Sequence, residues 1–327
     1  MLSRWRRTAR DLQTKGHNME KSAKILTIVL PTTAVTILCA GVANYRAVET
    51  ELKAETEGHQ SEMCELSAKE ISASLKSIRD ELTWVARHPD VQSMNWDSMS
   101  GYLSEVAGSA AERLTNLIVI EPNGDYYFAG RGKVENRNLS DRKYFRDIME
   151  DGSRFSMTSP DYSRLTNQKK YTLAVPIHAE GESAKGCLAS NISLDILSGM
   201  VSEGNKGNDR LLWVVDERTY VIGCADKEML LEYRLSDAAK DCEGRDALSE
   251  GIKRRERTSG YVTMEDGRRY FATCQPIGGT PGWALVSAVA ESNMTRLTTS
   301  LIIRTLIALA VAMTVIAVTV WRVMKRG

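Results

Sequence analysis

Apolar and polar positions divide the chain into two long apolar runs and a mixed segment between them. The first run, 25–45, contains no charged side chain, and the second, 301–321, is interrupted only by Arg304. A helix of roughly 20 residues spans the hydrocarbon core of a bilayer. An arginine one turn from the end of a span can extend to the interface, where Trp321 would be an aromatic anchor. The pattern therefore predicts two transmembrane helices.

An amphipathic helix is predicted directly after the first run. Over positions 64–85, apolar residues recur at alternating intervals of four and three, which is the spacing of a heptad stripe. The members of this stripe are Cys64, Ala68, Ile71, Leu75, Ile78, Leu82 and Val85. Pro89 ends the helix just after His88. The stripe either packs against a sheet within the chain or forms a dimer seam, and one helix could do both.

The remaining exterior sequence consists of short strands and turns in two similar halves. Strands are predicted at 117–120, 126–128, 171–177, 186–194, 211–215, 270–277 and 282–286. A Pro-Asn-Gly-Asp turn at 122–125 is typical of a hairpin. The second half repeats the first after about 95–100 residues, which is too long for a solenoid unit. The repeat predicts two copies of one small α/β module with an antiparallel sheet.

Short helices complete the first half. One is predicted over 99–113 and another over 141–149, the latter capped by Ser140 and Asp141. Asp195 is expected to cap the helix that leaves the last strand of this half.

Charge is distributed unevenly, although 43 basic and 42 acidic side chains leave a net charge of +1. Residues 1–24 carry a net +5 and residues 322–327 a net +3, whereas the segment between them, Arg304 excepted, carries −8. Short basic flanks stay in the cytoplasm, so both termini are predicted inside and residues 46–296 outside the cell membrane. The even overall balance argues against a nucleic-acid binder. A cleaved signal peptide is the alternative for the first run, but its length favours an uncleaved anchor.

Cysteine usage leaves several options open. The cysteines are Cys39, Cys64, Cys187, Cys224, Cys242 and Cys274. The five outside the first run cannot all pair within one chain. Cys224 could pair with Cys242 or Cys274, while Cys187 and Cys274 also suit buried free thiols in strands. Cys64 is either a free thiol in a packed seam or a disulfide between two copies.

The order of these elements resembles the double Cache family of bacterial extracytoplasmic sensors over about 46–321. The motifs that carry the resemblance are 139–145 (Leu-Ser-Asp-Arg-Lys-Tyr-Phe), 159–160, 174–177, 186–195 and 282–286. The resemblance implies an α+β fold, in which a long N-terminal helix and two tandem PAS-like modules are flanked by two transmembrane helices. The implied domains are a cytoplasmic leader 1–24, a transmembrane helix 25–45, a long helix 46–94, a membrane-distal module 95–203, a membrane-proximal module 204–296, a second transmembrane helix 297–321 and a tail 322–327.

The resemblance also implies a ligand site in the membrane-distal module. Arg142 would bind a carboxylate through its planar guanidinium, and Tyr144 and Phe145 would line the pocket. The other implied ligand-binding residues are Asp161, Tyr171 and Asn191. The alternative is that Arg142 is a solvated residue at a helix start and that the two aromatic residues belong to the core.

The chain departs from the amino-acid-binding members of the family at three positions. Tyr144 stands where those members have Trp, and Arg137 stands where they have Tyr. Asn191 replaces the acidic residue that pairs with the ligand ammonium. Because an amide lacks the charge that an ammonium group prefers, an organic acid is favoured over an amino acid.

We therefore expect a two-pass membrane sensor that binds a small carboxylate and forms a homodimer through its long helix. Only six residues follow Trp321, so we expect the output module either in a longer receptor or in a cytoplasmic or membrane partner. Neither catalysis nor a cofactor is expected, since the four histidines form no metal or triad spacing and no glycine-rich phosphate loop occurs. The alternative function is a two-span membrane scaffold without a small-molecule ligand, which should be dominated by long helices.

Overall fold

The computed structural model describes residues 2–109, 113–114, 116–163, 167–178, 183–205, 210–237, 244–264 and 267–294, with isolated positions between 303 and 322. The chain divides into two compact units. One unit comprises Met1–Thr56 with Ser292–Gly327, and the other comprises Glu57–Glu291. The second unit contains both sheets and the predicted ligand-binding residues.

The long N-terminal helix α1 (Leu2–Ala86) buries the predicted stripe. All seven stripe residues are 5% exposed or less, and they belong to one apolar cluster with residues of both sheets. After α1, His88 caps the short helix α2 (Pro89–Gln92). The long helix therefore ends just before Pro89, as predicted. The stripe therefore packs within the chain, which leaves it unavailable as a seam between two copies.

The first sheet is antiparallel. Its strands are β1 (Leu117–Ile120), β2 (Tyr126–Phe128), β3 (Gly132–Lys133), β4 (Ser156–Met157), β5 (Asp161–Tyr162), β6 (Lys169–Ile177) and β7 (Gly186–Ser193). They lie in the order β3-β2-β1-β7-β6-β4, and β5 also pairs with β6. Helix α3 (Trp96–Ser109) precedes β1, and α4 (Lys143–Met149) lies between β3 and β4 in the chain. The side chains of α4 pack on the sheet.

The second sheet is also antiparallel. Its strands are β8 (Leu211–Val215), β9 (Val221–Gly223), β10 (Thr258–Thr263), β11 (Arg269–Pro276) and β12 (Ala284–Ala290). Helix α5 (Leu194–Gly204) leads into β8, a 3-10 turn occupies Lys227–Met229, and α6 (Arg245–Arg254) precedes β10.

The strand order confirms the internal repeat. The second sheet runs β9-β8-β12-β11-β10, and the first runs β2-β1-β7-β6-β4 in equivalent positions. Each sheet therefore places its first strand beside its last, as two copies of one module would. The α+β fold with a long N-terminal helix and two antiparallel sheets is confirmed, and these sheets favour the sensor over a scaffold made of long helices.

The predicted turn at 122–125 forms the β1–β2 hairpin. Gly124 adopts a φ of +88°, a left-handed conformation that side chains other than glycine rarely adopt. A Cβ atom there would lie 2.3 Å from Oδ1 of Asn138, so a larger residue would displace the Asn138 side chain. The Asn138 side chain in turn donates to the carbonyl of Asn123 at 2.9 Å.

Two predicted helix caps are wrong. Arg142 occupies the N-cap position of α4 in place of Ser140 and Asp141, because the helix begins two residues later than predicted. Ser193 caps α5, its hydroxyl accepting from the backbone N–H of Asp195 at 3.1 Å. Asp195 lies in the first turn instead, where its carboxylate interacts favourably with the positive end of the helix dipole.

The described cysteines are free thiols. Four of them are buried: Cys64, Cys187, Cys224 and Cys274. The expected alternative of a disulfide between Cys224 and Cys274 is therefore not formed, and Cys242 lies outside the described residues. Burial raises the pKa of Cys64, Cys187 and Cys274 to about 12, which keeps these thiols protonated at neutral pH. Cys64 is fully buried against β11, 3.6 Å from the carbonyl of Thr273, so it is not placed to bridge two copies.

The membrane topology stays a prediction. Among the described residues, no helix contains a stretch long and apolar enough to cross a bilayer. Many side chains of 25–45 and most residues of 297–321 lie outside the described part of the chain.

Candidate functional site

One face of the first sheet carries the candidate site. Successive side chains of a strand point to opposite faces, and directly paired residues share a face. In the β6–β7 ladder, Thr172 pairs with Asn191 and Ala174 pairs with Ala189. These four residues and Lys170 define what we call the outer face, and α4 packs on this side of the sheet. The opposite side, the inner face, joins the apolar cluster that contains α1.

Helix α4 covers one end of the outer face with aromatic side chains. Tyr144 is 7% exposed and Phe145 is 4% exposed. Both belong to an apolar cluster with Ala174 and Cys187 of the sheet. Burial raises the pKa of the Tyr144 hydroxyl, so the ring carries a neutral phenol at physiological pH. This end of the outer face is therefore apolar and closed.

Arg142 begins α4 but does not cap it with its side chain. Its backbone is extended, with φ −78° and ψ 136°, and its side chain makes no capping hydrogen bond. Among the described residues, its guanidinium forms an ion pair with the adjacent Asp141, with Nε 3.7 Å from Oδ1. The side chain is 36% exposed. A guanidinium without a bidentate partner keeps its paired donors available for a carboxylate.

Polar side chains converge at the other end of the outer face. Lys170 Nζ lies 2.7 Å from Oδ1 of Asp161 and 3.2 Å from Oγ1 of Thr172. The Thr172 hydroxyl donates to Oδ1 of Asn191 at 2.9 Å. Thr158 Oγ1 accepts the backbone N–H of Thr172 at 2.9 Å. These bonds tie β5, β6, β7 and the segment after β4 into one polar network, in which the Lys170 side chain is only 16% exposed.

Tyr171 lies on the opposite face of the sheet from Thr172 and its partner Asn191. It is 1% exposed and lies on the inner face, because its neighbours Lys170 and Thr172 point outward. Its ring packs edge-on against Trp283 from the second half of the chain, with ring centroids 5.1 Å apart. We therefore leave Tyr171 out of the proposed ligand set.

Sequence reasoning missed Lys170 and Thr172. The prediction starts this strand at Tyr171, where the apolar run begins, whereas β6 begins at Lys169. The alternation signal was present, since Lys170 and Thr172 are the polar positions on either side of Tyr171. The pairing of Thr172 with Asn191 was not predictable, because it depends on the register between two strands.

Metal binding finds no support among the residues that the structure describes. They include no group of three or more His, Cys, Asp or Glu side chains placed to hold a metal ion. Hydrogen bonding and charge pairing at the outer face are offered by Arg142, Lys170, Thr172 and Asn191.

Solved structures with the same fold are extracellular or ligand-binding domains. The extracellular domain of mmHK1S-Z3, which is named as a histidine kinase, is 15% identical with a TM-score of 0.60, covering 75% of this chain and 97% of its own. The ligand-binding domain of the Pseudomonas fluorescens chemoreceptor CtaA, in complex with L-leucine, is 16% identical with a TM-score of 0.56, covering 76% and 99%. The ligand-binding domain of the Pseudomonas aeruginosa PAO1 amino acid chemoreceptor PctC, in complex with GABA, is 16% identical with a TM-score of 0.54, covering 72% and 99%. At these identities the likeness establishes the fold alone.

Family membership rests on a broader match. A search among curated proteins finds no match. The model of the Cache domain matches residues 44–298, which is most of the chain and includes both sheets. The chain therefore belongs to the double Cache family.

Proposed function

We propose that this protein is a transmembrane sensor that binds a small organic acid at the outer face of its membrane-distal module. Cache domains are sensor and ligand-binding domains, not catalytic ones. Related domains form the extracytoplasmic parts of membrane receptors. The observation that carries the ligand assignment is Arg142, a half-buried guanidinium at the start of α4 that has no bidentate partner among the described residues.

Charge at the outer face favours an organic acid over an amino acid. Arg142 and Lys170 are both cationic, and the carboxylate of Asp161 is already paired with Lys170. Asn191 contributes a neutral amide, which already accepts the hydroxyl of Thr172. The CtaA and PctC structures hold L-leucine and GABA, each with a carboxylate and an ammonium group. In this chain the carboxylate group of such a ligand would meet the cations Arg142 and Lys170. Its ammonium group would meet a cation and the neutral amide of Asn191.

Replacing Arg142→Ala tests the anion anchor. We expect the affinity for the best-binding organic acid to fall about 10- to 100-fold, because a charge-assisted hydrogen bond contributes about 1.5–3 kcal/mol. The measurement is calorimetric titration of the exterior segment 46–298 with a series of organic acids and amino acids. Arg146→Ala is the matched control, since Arg146 is an exposed arginine on the same helix. If Arg142→Ala leaves the affinity for the organic acid unchanged, Arg142 is not the anion anchor.

Replacing Asn191→Asp tests the preference between ligand classes. A carboxylate at this position offers the charge that a ligand ammonium prefers, so we expect the ratio of alanine affinity to propionate affinity to rise about tenfold. The measurement is the same titration with alanine and propionate, which differ by the amino group. Asn123→Asp, in the exposed β1–β2 turn, is the control. If the ratio stays constant in Asn191→Asp, Asn191 does not determine ligand class.

The relay of ligand occupancy is proposed to begin in the segment 158–162, here called the relay segment. On one side it holds Asp161 and Thr158, which bond to Lys170 and Thr172 of the candidate site. On the other side it makes three contacts with the second half of the chain: Ser159 with Glu217, Pro160 with Arg218 and Tyr162 with Glu232. A displacement of Asp161 would therefore reach the β8–β9 hairpin directly.

Of these three contacts, the one made by Arg218 is held by the most bonds. Its Nη2 donates to the carbonyl of Pro160 at 3.0 Å and lies 2.7 Å from Oδ2 of Asp216. Asp216 is fully buried, and its burial raises the pKa of the carboxyl group even though Arg218 and backbone N–H groups oppose this. Removing Arg218 would release Pro160 from the second half of the chain.

Replacing Arg218→Ala tests the relay. We expect an organic acid to slow hydrogen exchange in residues 216–234 of the wild-type segment. We expect this effect to be smaller in the variant, which loses the Arg218–Pro160 contact and keeps the contacts of Ser159 and Tyr162. Ligand affinity should stay within about twofold, because Arg218 does not touch the outer face. Mass spectrometry of the exchanged peptides is the measurement, with Arg269→Ala as the control in the second sheet. A ligand effect of undiminished size in Arg218→Ala would contradict a relay through Arg218.

A homodimer through α1 is proposed to use the exposed side of the helix, opposite the buried stripe. Trp84 is 79% exposed and Leu66 is 48% exposed. They lie 18 residues apart, which is five full turns, so both project from the same side. An exposed Trp on a regular helix is typical of an interface anchor. A second copy offers the same side in a two-fold arrangement.

Replacing Trp84→Glu tests this dimer. We expect the dimer dissociation constant to rise at least about tenfold, since truncated anchor residues commonly cost 2 kcal/mol or more. Sedimentation analysis of the segment 46–298 gives this constant. Leu211→Glu, at another exposed apolar residue on β8, should leave it unchanged. A monomeric wild-type segment, or equal dimerisation of Trp84→Glu and wild type, would rule out this interface.

A further inference from the structure

Both cations of the candidate site are paired with a carboxylate that is more exposed than the cation itself. The side chain of Arg142 is 36% exposed, whereas that of its partner Asp141 is 78% exposed. The side chain of Lys170 is 16% exposed, whereas that of its partner Asp161 is 61% exposed. Ion pairs with an exposed member contribute little to stability, because water solvates the released group well. Another anion can therefore take the place of either carboxylate, provided that it pairs with the shielded cation.

The ammonium group of Lys170 is fixed in position by its neighbours. The Thr172 hydroxyl donates its hydrogen to Oδ1 of Asn191, so its oxygen is the acceptor for Lys170 Nζ at 3.2 Å. Lys170 Nζ also donates to Oδ1 of Asp161 at 2.7 Å. An ammonium group has three N–H donors, and the third has no acceptor among the residues that the structure describes. Lys170 can therefore bind an incoming carboxylate and keep its bond to Thr172.

Asp161 is held less firmly than Lys170. It lies in the two-residue strand β5, which is exposed and pairs with β6. Within the described part of the chain, its carboxylate bonds to Lys170 alone. A rotation of the Asp161 side chain therefore opens Lys170 to a ligand while the backbone pairing of β5 with β6 stays in place.

The length of the uncovered outer face suits a short ligand. Helix α4 covers Ala174, and Lys170 lies four residues before it on the same strand. Four residues of a strand span about 13 Å. A chain of a few carbon atoms fits within this length, with Arg142 at the covered end and Lys170 at the other.

We propose that the ligand is a short dicarboxylate and that Lys170 determines this specificity. One carboxylate binds the Arg142 guanidinium, and the second replaces Asp161 as the partner of Lys170. This inference rests on the proposed binding of an organic acid at Arg142 and specifies the class of acid. An acid with a single carboxylate uses Arg142 and leaves the Asp161–Lys170 pair intact. Because Asp161 belongs to the relay segment, a dicarboxylate acts directly on the start of the proposed relay.

Titration of the full-length chain in detergent with succinate and butyrate tests this specificity. The two acids have the same four-carbon chain and differ in the second carboxylate. We expect the wild type to bind succinate at least about tenfold more tightly than butyrate, because the second carboxylate forms a charge-assisted hydrogen bond. In Lys170→Gln this affinity ratio should fall about tenfold, whereas Lys170→Arg, which keeps the charge, should retain most of it.

Asp161→Asn tests the exchange itself. Removing the competing carboxylate should raise the ratio of succinate affinity to butyrate affinity about two- to fivefold, the range expected for an exposed ion pair. Because Asp161 is exposed, its replacement leaves the core intact. Lys76→Gln is the matched control for Lys170→Gln, since Lys76 is a lysine on α1 that pairs with Asp80 at 2.6 Å. The affinity ratio in this control should equal that of the wild type.

The outcomes separate this inference from the proposed function. If Arg142→Ala weakens both acids but Lys170→Gln keeps the wild-type ratio, the anion anchor stands and the role of Lys170 is wrong. Equal affinity of the wild type for succinate and butyrate, or an unchanged ratio in Asp161→Asn, would also overturn the dicarboxylate inference. If Arg142→Ala leaves both affinities unchanged, the proposed function fails and this inference fails with it.

Discussion

Burial of one side of α1 is the constraint on which the rest of the exterior structure depends. Its seven stripe residues join inner-face residues of both sheets in one apolar cluster. A fully buried Leu or Ile side chain contributes about 1.5–3 kcal/mol, so the buried stripe contributes substantially to the stability of both sheets. Direct bonds add to this packing, as where Cys64 and Ser61 meet Thr273 of β11.

The same constraint determines where a ligand can bind. Because the cluster that contains α1 occupies the inner face of the first sheet, the outer face is the side of that sheet left for a ligand. The seven residues of α4 cover one end of that face with Tyr144 and Phe145 and leave the polar end at Lys170 and Asn191 uncovered. The relay segment borders this polar end and also contacts the β8–β9 hairpin, so the site lies next to the contact between the two halves of the unit.

Periodicity predicted the elements, but not what each element faces. The stripe of α1 and the apolar strands were readable because their spacings of 3.5 and 2 are local properties. Whether the stripe packs on sheets or on a second copy depends on distant residues, so a dimer seam remained equally consistent. Tyr171 was assigned to the ligand although strand alternation places it inward, and Lys170 was missed because the apolar run starts after it. Register and partner are long-range properties, which a single sequence does not encode locally.

A crystal structure of the exterior segment with its best-binding organic acid tests the central claim most directly. The account predicts that the ligand lies on the outer face of the first sheet, with its carboxylate within hydrogen-bonding distance of the Arg142 guanidinium. The polar end formed by Lys170, Thr172 and Asn191 should contact the remainder of the ligand or its ordered water. A ligand bound on the second sheet, or on the outer face without contact to Arg142, would contradict the account.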